Sequence, residues 1–201
     1  GNGSTNGPIV ETGFEPAFIM FKRTDGIAAW NITDNKRNLT NPRTSVLQGN
    51  ATDQEYTSSS YAIDFLSNGF QIVNSDNGWN TSGSPYIYMA FAADPDTEAP
   101  TVARSFSTVT YTGTGSSNSI TSLGFEPSLT WIKGRTNTAS HQIFDTIRGA
   151  TKGLNSDSTN AEFTNTGMLT SFDSDGFSLG NHGSVNGSGV NYVAWNWKAD
   201  D

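Results

Sequence analysis

The chain has 201 residues, 34% hydrophobic and 15% charged, with no cysteine and a formal net charge of −8. That charge disfavours nucleic acid and anionic membrane surfaces as partners. The absence of cysteine excludes disulfides and thiolate metal sites, and no apolar run approaches the roughly 18 residues of a membrane-spanning helix.

Ser, Thr, Asn and 21 glycines dominate over helix formers, and aromatic residues make up 11% of the chain, which points to an all-β, turn-rich fold. The chain opens Gly1-Asn2-Gly3-Ser4, with neither Met nor a signal-peptide pattern, as expected of a processed or excised piece of a longer protein. Gly13-Phe14-Glu15-Pro16 follows and recurs 111 residues on as Gly124-Phe125-Glu126-Pro127. At the same offset Ala17–Lys22 matches 128–133, Ile32-Thr33-Asp34 matches Ile143-Phe144-Asp145, and Arg37 matches Arg148. Further on, Phe65-Leu66-Ser67-Asn68-Gly69-Phe70 pairs with Phe172-Asp173-Ser174-Asp175-Gly176-Phe177, and Glu55 with Glu162, both 107 residues apart. Tyr88-Met89-Ala90-Phe91 resembles Tyr192-Val193-Ala194-Trp195 at an offset of 104. Matches in one order, with shifts in Gly/Asn/Ser-rich stretches, indicate a tandem duplication.

The boundaries follow: module 1 over 1–95, a Pro- and acid-rich linker over 96–104, and module 2 over 105–201. Ser105–Tyr111 alternates as a strand does, and it has no counterpart ahead of Gly1, again as expected of a piece of a longer array. In module 2, strands are expected near 119–123, 128–133, 142–146, 169–173, 177–179 and 191–198. Asp175-Gly176, with Asn68-Gly69 in module 1, signals a hairpin turn. Val193, Trp195 and Trp197 share one strand face, read with Trp131 as core, and Met89, Phe91 and Ala93 take the same phase in module 1. Short strands with regular turns predict two antiparallel β-sandwich modules, jelly-roll or lectin-like, side by side.

Signals for chemistry are sparse. His141 aligns with Trp30 and His182 lies in a loop; neither has a Cys or second His at metal-ligand spacing. Glu15/Glu126, Asp34/Asp145 and Glu55/Glu162 occur once per copy, as turn, cap or salt-bridge residues do, not as one glycosidase pair would. Asp173 and Asp175 begin a calcium-loop-like run that lacks the later Glu, so a hairpin is expected and Ca²⁺ is only a weak candidate; no other cofactor is implied. Trp79, in the polar stretch Asp76–Thr81 with Asn77 and Asn80, is the expected ring for stacking on a sugar. Trp30, His141 and His182 complete the ligand candidates. Asn-x-Ser/Thr sequons at Asn31, Asn38, Asn50, Asn80 and Asn186 matter only in a eukaryotic source.

Longer motifs carry a resemblance. Gly113–Ile120, Gly124–Pro127, Trp131-Ile132-Lys133, Phe144–Gly149, Leu169–Phe177 and Tyr192–Ala199 resemble a repeat of tail-fibre-like and appendage proteins of marine and aquatic bacteriophages. Module 1 is similar to a companion variant, through Thr12–Phe18, Lys22–Asp25, Asp64–Phe70 and Tyr86–Ala92. The pattern departs at Asn196, where that family often has Cys; a buried Asn needs a partner. The resemblance implies a non-enzymatic virion structural protein (tail fibre, appendage or capsid decoration) at the virion surface. Expected partners are other virion proteins, further copies of itself and a host-surface glycan, without membrane insertion. The alternatives are an architectural cement or spacer, a polysaccharide depolymerase, and a bacterial surface adhesin.

Overall fold

The computed structural model describes residues 1–92 and 105–199; the expected linker, 96–104, and Ala93 lie outside the described residues. The chain divides into two compact units, Gly1–Asn50 with Glu55–Ala93, and Asp94–Asp201 with Ala51–Gln54. Both are all-β and antiparallel, as the alternating pattern predicts.

Unit 1 contains β1 (Ile9–Glu11), β2 (Pro16–Arg23), β3 (Asn31–Asp34), β4 (Ser45–Gln48), β5 (Tyr56–Thr57), β6 (Ile63–Leu66), β7 (Gly69–Ile72), the single helical turn α1 (Asn77–Asn80) and β8 (Tyr86–Ala92). Its strands form a five-stranded sheet, β5-β4-β3-β2-β8, and a three-stranded sheet, β1-β7-β6. Unit 2 contains β9 (Phe106–Thr112), β10 (Asn118–Ile120), β11 (Leu129–Gly134), β12 (Gln142–Asp145), β13 (Lys152–Leu154), β14 (Phe163–Thr164), β15 (Leu169–Asp173), β16 (Gly176–Leu179), the helical turn α2 (Gly183–Asn186) and β17 (Asn191–Trp197). These form a six-stranded sheet, β14-β13-β12-β11-β17-β9, and a three-stranded sheet, β10-β16-β15. All six strands expected in module 2, and the strand opening it, are present; β13 and β14 are additional. Each core draws on both of its sheets, which makes each unit a sandwich. Ile19, Phe21 and Val46 meet Ile63, Phe65, Phe70 and Ile72 in unit 1. Ile132, Phe144, Tyr192 and Ala194 meet Ile120, Leu169, Phe177 and Leu179 in unit 2.

Strand register corrects two expectations. Phe21 pairs with Tyr88, whereas Ile132, its counterpart, pairs with Ala194. Tyr86, not Tyr88, therefore corresponds to Tyr192, and the offset in the last strand is 106. The hydroxyls agree: Tyr86 accepts the Thr81 amide (3.0 Å) and Tyr192 the Gly187 amide (2.8 Å), each at the end of the helical turn. The second correction concerns faces. Because Ile132 and Ala194 point into the sandwich, the pair Trp131 and Trp195 lies on the opposite side of the sheet, as do Val193 and Trp197. Trp195 is still fully buried there, so aromatic size signalled burial but not which face.

The buried Asn196 finds its partners within the sheet. Its Oδ1 accepts the Thr130 hydroxyl (3.0 Å), and its Nδ2 donates to the carbonyls of Ser107 and Ala194 (3.2 Å each).

The hairpin glycines act differently from the expected turn residues. The β15–β16 turn runs through Ser174-Asp175, and Gly176 already pairs with Asp173. Its φ is +154°, and a Cβ would overlap the Ile120 carbonyl oxygen of β10; Gly69 repeats this with φ +155° against Val10 of β1. Glycine is required because the third strand crosses too closely for any side chain. Gly176→Ala is expected to cost at least about 2 kcal/mol from backbone strain and the clash together. Gly183→Ala, with nothing within 4 Å of its added Cβ, is expected to be neutral or stabilising by up to about 1 kcal/mol. Urea midpoints of the two variants compare them directly.

Candidate functional site

The ligand candidates of module 1 converge on α1, which the sequence suggested was a loop. The Asp76 carboxylate accepts the Gly78 amide (2.7 Å) and so caps a turn of helix. That turn points Trp79 inward. Its ring is 2% exposed and stands edge-on to Phe21 (4.6 Å) and beside Tyr61 (5.4 Å). Trp79 is therefore a core residue in the folded chain, not an open platform for a sugar ring.

Asn80 is buried as well, and its amide is saturated. Oδ1 accepts the Asn2 amide (2.8 Å), and Nδ2 donates to Asn2 Oδ1 (2.9 Å) and the carbonyls of Ser4 (2.8 Å) and Asn74 (2.9 Å). In module 2 Asn186 does the same: it accepts the Thr114 amide (2.9 Å) and donates to Ser116 and Gly180 carbonyls. Each asparagine ties the opening loop of its module to the helical turn and to the end of the preceding strand. The signal for this role was available in the sequence, since an Asn ends both turns 106 residues apart. The amide nitrogens of both sequons are thereby occupied. Asn77 remains exposed at the start of α1.

His182 holds the position of Asp76: its Nδ1 accepts the Ser184 amide (3.2 Å) and caps α2. His141 is fully buried, and its Nδ1 accepts the Trp131 indole N–H (2.7 Å), which leaves the ring proton on Nε2. The His141 ring also stacks on Trp195 at 6.5 Å. The burial of this ring within an aromatic group corrects its reading as a ligand contact. Trp30, its counterpart, stays half-buried, with the Lys22 amine 5.6 Å from the ring centroid. Both backbones are held alike, the Trp30 amide on Asn50 and the His141 amide on Asp157, each 2.8 Å.

The carboxylates are struts. In module 1 Arg37 Nε meets Asp34 Oδ2 at 2.6 Å with both side chains fully buried; Nη1 reaches Glu55 (3.2 Å) and Nη2 the Ile32 carbonyl (2.9 Å). In module 2 Arg148 Nε meets Asp145 Oδ2, also at 2.6 Å, and Nη2 the Ile143 carbonyl (3.2 Å), with both side chains about a fifth exposed. Glu162 pairs with Lys152 (3.8 Å) rather than with the arginine. Burial would raise the Asp145 carboxyl, but the amide and guanidinium of Arg148 outweigh it and hold the group below its ordinary range. Asp173 and Asp175 point to different tasks. Asp173 accepts the hydroxyls of Ser171 (2.8 Å) and Ser178 (2.7 Å), and Asp175 the amides of Ser122 (3.0 Å) and Gly124 (2.7 Å). They do not converge as ligands of one cation, which corrects the weak calcium reading. Among the described residues no group of three or more His, Asp or Glu is placed to hold a metal.

Lys133 is the group that sequence reasoning passed over. It is fully buried in β11, and its amine donates to the carbonyls of Gly134 (3.0 Å) and Asn137 (3.2 Å). Burial lowers its pKa to about 8, against a smaller opposing pull from Asp157. Beside Trp79, module 1 also opens an apolar pocket of about 210 Å³, lined by Phe21, Phe70, Tyr86 and Tyr88 among others.

The sequence model of a family described as "Domain of unknown function (DUF7483)" matches residues 1–95 and again 102–201. No curated protein and no solved structure matches the chain.

Two outcomes follow from this geometry. Asp34→Ala removes the closest contact of a fully buried guanidinium, which keeps its Glu55 contact, and is expected to cost about 3 kcal/mol. Asp145→Ala, at a partly exposed pair, is expected to cost about 1–2 kcal/mol. Equal losses in urea titrations would contradict the difference in burial. For Lys133, the folded state releases its proton before the unfolded chain does. Stability is therefore expected to rise from about pH 8 toward the ordinary lysine range near 10.4. Lys133→Met removes that rise, which denaturation at pH 7.5 and 9.5 measures.

Proposed function

We propose a structural, non-catalytic role for this chain, which belongs to the DUF7483 family in both of its halves. Its place, on this reading, is a virion appendage or capsid decoration, where the modules act as repeated building units.

What supports the reading is the duplicated use of carboxylates. Asp34 with Arg37 and Asp145 with Arg148 have the same 2.6 Å contact in the same hairpin of each module. Catalytic carboxylates work in pairs across a substrate; these lie against an arginine three residues on, joined in module 1 by Glu55 on the same guanidinium, and brace a turn. The virion assignment rests on the motif resemblance of Gly124–Pro127, Leu169–Phe177 and Tyr192–Ala199.

A second reading adds recognition of a host-surface glycan, and Trp30 favours it, because its ring stays only half-buried beside the Lys22 amine. Repeated weak sites of that kind gain strength by avidity.

Antibodies raised against the chain are expected to label intact purified particles, and host capsule or lipopolysaccharide incubated with the chain is expected to keep its length. Shortened polysaccharide would overturn the non-catalytic role; failure to label would overturn the virion role. A glycan array separates the two readings. A signal that Trp30→Ala abolishes supports recognition, whereas silence across host polysaccharides leaves an architectural spacer.

A further inference from the structure

We infer that module 1 is a strand acceptor: the free edge of β8 and the pocket beside it take an added antiparallel β-strand with an aromatic residue opposite Tyr86. This goes beyond the structural role above and does not depend on where that role is exercised.

The duplication itself supplies the argument. In module 2, β17 is covered along its whole length by β9, with Tyr192 opposite Tyr111, Ala194 opposite Val109 and Asn196 opposite Ser107. The register makes β8 the counterpart of β17, yet β8 ends its sheet and no described strand pairs with its outer side. The exposures follow. Val193, Ala194 and Trp195 are fully buried, whereas Ile87, Tyr88 and Met89, at the same positions, are 53%, 42% and 47% exposed. An edge that no described strand covers, with three successive large apolar residues, is what a strand-binding surface presents.

The pocket fits the residue that β9 inserts. Tyr111 stacks on Tyr192 (5.2 Å, 15°), lies 6.5 Å from Phe177, and donates its hydroxyl to the Val185 carbonyl (2.8 Å). The counterparts of those three groups are Tyr86, Phe70 and Trp79, and all three line the pocket of module 1. Its volume, about 210 Å³, is below the roughly 300–1,000 Å³ of small-molecule clefts; it suits one aromatic side chain. Tyr88, where module 2 has Ala194, already places its ring 5.3 Å from Phe70. The remaining space is thus the part that faces Tyr86.

Direction is specified as well. The Gly1 amine donates to the Ser84 carbonyl (2.7 Å), as the Gly113 amide does to Val190 (2.8 Å). Thr112 leads directly into Gly113, so the added strand lies with its C-terminal end beside Gly1. The occupant is an extended polypeptide with the pattern of β9: a pocket-facing aromatic residue, a β-branched residue two positions before it, and hydroxyl side chains between.

The test uses the whole chain and a synthetic peptide with the sequence of residues 105–112. Amide hydrogen exchange across β8 and tyrosine or tryptophan fluorescence follow the titration. One-to-one binding that protects the amides of residues 86–90, weakened at least tenfold in the Tyr111→Ser peptide, is expected. A second measurement places the same eight residues covalently ahead of Gly1. That extended chain is expected to protect β8, to melt about 4–8 °C higher and to lose affinity for the free peptide. Absence of peptide binding up to roughly 1 mM together with unprotected β8 amides in the extended chain would overturn the inference. So would self-association through β8 that the peptide does not displace.

Discussion

Each module depends on one buried amide. Asn80 and Asn186 sit at the end of a helical turn and hold the opening loop of their module against it through donors and acceptors that are all engaged. A buried amide left without partners costs about 1–3 kcal/mol, so this arrangement is strongly preferred over any that opens the loop. Its consequences spread outward. It places Gly1 and Gly113 beside the last strand of their modules. It also fixes the helical turn that drives Trp79 or Val185 into the core, and through Trp79 it shapes the pocket of module 1.

The same economy governs the charged groups. Buried or half-buried carboxylates brace turns against arginines, cap helical turns or hold backbone amides; the Asp–Arg brace recurs in both modules, and His182 replaces the Asp76 cap. The modules differ in how their last strand is covered. Module 2 carries β9, and with it Asn196, whose amide needs the Ser107 carbonyl. Module 1 has Ala90 at that position, Tyr88 in place of Ala194, and no described strand beside β8. The residue changes match the difference in covering: a polar group is kept where a strand satisfies it, and a large ring is kept where part of the gap must be filled from within.

The duplication, the all-β class and the longer strands of module 2 were legible because they depend on local pattern. Ser105–Tyr111 alternates, Asn191–Trp197 is rich in aromatic and apolar residues, and turn residues separate the strands. The carboxylate struts were legible too, since Asp34 with Arg37 and Asp145 with Arg148 recur at fixed spacing. Trp79 was misread because Asp76-Asn77-Gly78 looks like a loop, whereas the Asp76 cap turns it into one turn of helix. The last-strand offset was misread because Tyr88-Met89-Ala90-Phe91 imitates Tyr192–Trp195; only pairing with β2 and β11 distinguishes a shift of two residues, which preserves both faces.

The sequence by itself therefore determined the number of modules, their class and where the hairpins lie, since strand patterning and Gly, Asn and Asp chemistry act within a few residues. The tertiary structure alone decided which face each aromatic residue occupies, that the opening asparagine contacts cross 70 or more positions of chain, and that no described strand covers β8 where β9 covers β17. These depend on which strands meet across the sheet, a property of contacts between residues far apart in sequence that no local pattern encodes.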